Sequence, residues 1–116
     1  MTGTVVGVAE ALPEVPAVSV PDEAWLLDVR EDDEWAAGHA PEATHIPLGQ
    51  LGAYAAEIPQ DQKIYVICRS GGRSARAAQA LNGAGWQAVN VAGGMQDWAA
   101  AGRLMVSESG TEPFVA

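Results

Sequence analysis

The chain has 116 residues, 48% hydrophobic and 18% charged, which suits one compact domain with a real core and excludes a disordered polymer. A formal net charge of −9 argues against nucleic acid or an anionic membrane as a general partner. No apolar run approaches the ~18 residues that span a bilayer. No Lys or Arg precedes Arg30, where a secretory signal would carry a basic segment, so the expected compartment is the cytoplasm.

Met1 to Glu14 mixes Gly, Val, Ala and Pro without periodicity and reads as an extended arm. Val15 to Val20 reads as a short strand, with Pro21-Asp22 turning out of it. Trp25-Leu26-Leu27-Asp28-Val29 is a nearly continuous apolar run, as in a strand covered on both faces. The acidic run Glu31-Asp32-Asp33-Glu34 leads into a helical turn through Trp35, where the dipole favours negative charge. It needs no metal to explain it. Gly38 and Pro41 end that turn, and Thr44 to Pro47 is extended. Leu48 to Ile58 predicts an Ala-rich helix closed by Pro59, and Lys63 to Ile67 the central strand. A helix from the Ser74 region to Asn82, a strand over Gln87 to Val91, a Gly93-Gly94 turn and a helix over Met95 to Ala101 complete the order. From Leu104 on, Ser, Gly, Glu and Pro suggest a tail, in which Met105-Val106 could pack. Strands alternating with helices predict an α/β fold with a mainly parallel sheet.

The most informative stretch is Cys68-Arg69-Ser70-Gly71-Gly72-Arg73-Ser74, placed between a strand and a helix. Ligands of parallel sheets sit outside the carboxyl ends of strands, and Cys68 occupies such an end. Gly71 and Gly72 let the backbone curl so that N–H groups converge, and the helix dipole favours a thiolate. Ser70 and Ser74 add hydroxyl donors, although Ser74 serves equally well as an N-cap. Half of the six Lys and Arg residues, Arg69, Arg73 and Arg76, lie beside this only thiol, which suits a small anion. Arg73 is expected to close the loop and orient that anion, with a salt bridge to a nearby carboxylate as its alternative. Arg69 could point into water, and Arg76 is read as a solvated helix residue. His39 and His45 are read as structural, and Trp25, Trp35, Trp86 and Trp98 as core anchors. One Cys and two scattered His do not make a zinc site, so no metal and no organic cofactor is expected.

These residues resemble the rhodanese, or sulfurtransferase, family. Leu27-Asp28-Val29-Arg30-Glu31, Gly38-His39-Ala40-Pro41 with His45-Ile46-Pro47, the Cys68 to Ser74 loop, and Val91-Ala92-Gly93-Gly94 with Trp98 stand in the family's order. Ala40 and Glu42 depart from it, and the helix between the first two strands is nearly absent. The resemblance implies a single rhodanese-like domain over 15–103, with a five-stranded, mainly parallel sheet and helices on both faces. It also implies a persulfide on Cys68 and a structural pairing of Asp28 with Arg30 near the site.

Four residues separate Cys68 from Arg73, one fewer than in related phosphatases, so the ring of amides suits one sulfur atom better than a phosphoryl group. The expected activity is ping-pong transfer of sulfane sulfur from a small anionic donor such as thiosulfate to cyanide, an external thiol or a protein acceptor. A sulfur-relay module with low turnover of free donors is the alternative, and a phosphatase or arsenate reductase ranks below both.

Overall fold

A computed structural model describes residues 12–116. The expected N-terminal arm therefore lies mostly outside the described residues, and its last position, Glu14, belongs to a strand. The sheet contains β1 (Glu14–Pro16), β2 (Trp25–Asp28), β3 (Thr44–His45), β4 (Lys63–Ile67) and β5 (Gln87–Ala92). Every neighbouring pair is parallel, in the order β1-β5-β4-β2-β3. The helices are α1 (Asp32–Ala37), α2 (Leu51–Tyr54), α3 (Gly72–Gly83) and α4 (Gly94–Ala100).

Side chains alternate across a strand, so β4 assigns the two cores. Ile64, Val66 and Cys68 face one side, against Leu51, Ile58 and the Ala77, Ala78 and Leu81 face of α3. Tyr65 and Ile67 face the other, against Ala17, Val20, Met95 and Trp98. Helices thus cover both faces, and β4, buried at Ile64, Val66 and Ile67, leads directly into Cys68 in the middle of the sheet. No helix among the described residues is long and apolar enough to cross a membrane.

Three segments differ from expectation. The strand over Val15 to Val20 stops at Pro16, and Ala17–Ser19 forms a 3₁₀ turn instead. The helix over Leu48 to Ile58 is broken into a 3₁₀ turn (Leu48–Gln50), α2 and a second 3₁₀ turn (Ala55–Glu57). Gly49 and Gly52 weaken a continuous helix there. The segment read as a tail packs along the domain. Val106 forms an antiparallel bridge with His39, and the Phe114 N–H donates to the Ala37 carbonyl at 3.1 Å. Met105 and Val115 cover the second core.

Candidate functional site

The site starts where β4 gives way to α3. The helix begins at Gly72, earlier than its apolar pattern announces, so Gly72, Arg73 and Ser74 form its first turn. Ser74 is therefore not the cap. Gly71 fills that position with φ +112°, a left-handed conformation that costs glycine least. That turn brings the Gly71 N–H to 3.1 Å from Cys68 Sγ, and the Ser74 hydroxyl to 3.3 Å from it. Cys68 is 1% exposed. Burial pushes the thiol up, but hydrogen bonds from the Ser74 hydroxyl and the N–H groups of Ser74, Gly71 and Ser70 outweigh it. The net result is a pKa below the ordinary thiol value.

The loop is braced from the opposite side by α4. The N–H groups of Met95 and Gln96 donate to the carbonyl oxygens of Cys68 and Arg69 at 2.8 and 3.0 Å. A Cβ on Gly94 would press into the Cys68 carbonyl oxygen, so the close approach requires glycine.

Behind the loop, Asp28 and Arg30 are wholly buried and paired. Arg30 Nε donates to both Asp28 oxygens, at 3.0 and 3.1 Å, while Nη2 reaches Asp28 Oδ2 and the Gly38 carbonyl, each at 2.8 Å. The pair thereby ties the end of β2 to the end of α1. Arg73 takes its alternative: its guanidinium is paired with the carboxylate of Glu34 on α1. Arg69 donates through Nε to the Ala116 backbone oxygen at 3.0 Å, so the packed C-terminal segment reaches the loop. Arg76 is exposed, as read.

Both histidines lie away from the sulfur's hydrogen bonds and sandwich Trp35, whose ring centroid is 3.4 Å from that of His39 and 4.7 Å from that of His45. His39 contacts Glu108 and His45 donates to the Arg30 carbonyl, each at 2.7 Å. Of the tryptophans, Trp98 is buried and the others are only partly so. Two site residues escaped the sequence reading. Asn90 lies 2.6 Å from the Ser74 hydroxyl oxygen, and Glu34 binds Arg73. A lone polar residue inside the run Ala88-Val89-Asn90-Val91 was the available signal for the first.

The family model described as the rhodanese-like domain matches residues 12–101. The chain belongs to the rhodanese-like domain family. It is 40% identical over 81 residues to YtwF of Bacillus subtilis, provisionally named a sulfurtransferase, covering 70% of this chain and 79% of that protein. It is 45% identical over 74 residues to YrkF of the same organism, provisionally named a sulfur carrier protein. That match covers 63% of this chain but only 40% of YrkF, so the chain spans well under half of that relative. Among solved structures, the rhodanese-related protein from Thermoplasma volcanium superposes with a TM-score of 0.76 at 32% identity, over 81% of this chain and 97% of that one. Family and relatives together support sulfur transfer as the general chemistry of this rhodanese-like domain.

Proposed function

We propose that this rhodanese-like domain is a sulfurtransferase in which Cys68 carries sulfane sulfur as a persulfide. The observation that carries the reading is the donor cradle around Cys68 Sγ, with the Gly71 N–H at 3.1 Å and the Ser74 hydroxyl at 3.3 Å. Donors aimed at a buried sulfur favour its anionic form and hold it ready to attack. The Cys68 thiolate attacks the outer sulfur of thiosulfate, forming a Cys68–sulfur bond while the sulfur–sulfur bond of the donor breaks. Sulfite leaves with that bonding pair. An acceptor thiolate or cyanide then attacks the outer sulfur of the persulfide, and the Cys68 thiolate departs with its electron pair. Neither half-reaction calls for a metal or an organic cofactor. With a single cysteine in the chain, discharge as an internal disulfide is not open, so the acceptor is an external thiol or a protein. In this reading the remaining loop residues, Arg69, Ser70, Gly72 and Arg73, shape the entrance and hold the cradle, while Asp28 and Arg30 support it from behind. A cytoplasmic setting completes the reading.

The assay is thiocyanate formation from thiosulfate and cyanide, with the unaltered chain and Cys68→Ser compared. Activity confined to the unaltered chain is the expected result. Activity retained in Cys68→Ser would remove Cys68 from the chemistry.

One observation favours a relay as the second reading. The Arg73 guanidinium is already bound by Glu34, and Arg69 by the Ala116 backbone oxygen. The loop thus keeps less free positive charge for a doubly negative donor than its two arginines suggest. A protein persulfide needs no such charge, and persulfidation of Cys68 by a partner without turnover of thiosulfate would select this reading.

A further inference from the structure

Asn90 is a buried amide in an apolar strand, 1% exposed, and all its polar atoms are used. Its Nδ2 donates to Glu14 Oε2 at 2.8 Å and to the Gly71 carbonyl at 3.3 Å. Turning the amide over would set its oxygen against those two oxygens, so Oδ1 is the atom that faces Ser74. Ser74, wholly buried, has one hydroxyl proton and two acceptors for it: Asn90 Oδ1 at 2.6 Å and Cys68 Sγ at 3.3 Å. Gly71 and Ser74, whose donors lie 3.1 and 3.3 Å from the sulfur, are thus both held by this one side chain.

We propose that Asn90 is a positioning residue for Cys68 that acts through Ser74, competing with the sulfur for its single hydroxyl proton. The proposal rests on the reading of Cys68 as the reacting group. With a neutral thiol, the Ser74 proton lies on Asn90, the shorter contact. When the thiolate forms, the proton turns to the sulfur, and the buried Oδ1 loses its donor. Asn90 therefore opposes the thiolate by about one hydrogen bond, and withdraws the hydroxyl once negative charge leaves Sγ. The charged groups around this unit are Arg73 on α3, Glu34 on α1 behind Arg73, and Glu14 on β1 behind Asn90.

The test is the pH profile of Cys68 alkylation by iodoacetamide in the unaltered chain, Asn90→Leu, Ser74→Ala and the double variant. It uses no sulfur donor, so it reads the thiol whether or not the chain turns over thiosulfate. Asn90→Leu should move the midpoint down by about half a unit to one unit, and Ser74→Ala should move it up. The double variant should match Ser74→Ala, because Asn90 acts through the hydroxyl. A midpoint unchanged or raised in Asn90→Leu, or a shift that survives in the Ser74→Ala background, would overturn the proposal. Should the leucine variant not fold, Asn90→Ala supplies the same comparison.

Discussion

Arg73 of α3 and Glu34 of α1 meet in a two-pronged ion pair, with Nη1 and Nη2 at 2.7 and 2.8 Å from the two carboxylate oxygens. Such a pair fixes both planes as well as the distance between them. It ties the first turn of the helix that holds the sulfur cradle to the acidic turn after β2. The same carboxylate accepts the Glu31 N–H at 2.9 Å, so Glu34 organises its own helix start as well.

The Arg73 hydrogen bonds, opposed by burial and aided by the Glu31 N–H, hold the Glu34 carboxyl down at about 2. A carboxyl whose folded value lies below its ordinary 4.5 stabilises the fold fully above that value and loses the contribution as pH falls through about 2. Glu34→Gln should therefore lower the unfolding free energy by about 1–2 kcal/mol at pH 7, after allowance for solvent screening at a partly open site. Urea titrations at pH 7, 4 and 2.5 check this. The difference between the two proteins should narrow toward the lowest pH, and a constant difference would show that the carboxylate charge is not its source.

Arg73→Ala leaves the Glu34 carboxylate uncompensated beside the loop and frees one side of the cradle. Thiocyanate formation should fall roughly tenfold or more, equivalent to about 1.4 kcal/mol of barrier. Arg76, exposed on the same helix, should tolerate Arg76→Ala with less than about a threefold change in rate. Equal losses in the two variants would contradict the assigned geometry.

Asp28→Asn should cost about 3–5 kcal/mol, because it strands a guanidinium that is 0% exposed. Arg30 Nη1 already has no partner among the described residues, so Asp28 supplies most of the compensation for the buried charge. Thermal melting reads the loss. A melting temperature within a degree or two of the unaltered chain would mean that water reaches Arg30 in solution.

The sheet was legible because its signals are local. Lys63 to Ile67 is a lysine leading four apolar residues, bounded by turn residues, and the strand occupies those same five positions. The loop was legible for the same reason: one thiol, two adjacent glycines and a helix start lie within seven residues. What did not show is what depends on distant partners. The acidic run before Trp35 carries a full dipole explanation, and nothing near it in sequence indicates that Glu34 reaches across to Arg73, 39 positions later. Asn90 looks like a flaw in a strand until the fold sets it behind Ser74. The C-terminal segment has a loop's composition, and its order comes from backbone bonds to Ala36, Ala37 and His39, which composition cannot register.

The contacts of α4 with the loop carry one more implication. A planar trans peptide points its C=O and its N–H in opposite directions. Binding the Arg69 carbonyl to the Gln96 N–H therefore turns the Ser70 N–H the other way, and that N–H acts on the thiol. Sulfur acidity is thus set partly by a glycine pair more than 20 positions downstream that makes no bond to the sulfur. A graft of residues 68–74 alone onto another parallel sheet would carry the Gly71 and Ser74 donors but leave the Ser70 N–H without the brace that turns it. The heritable unit of the site is the loop together with the glycine-led start of α4.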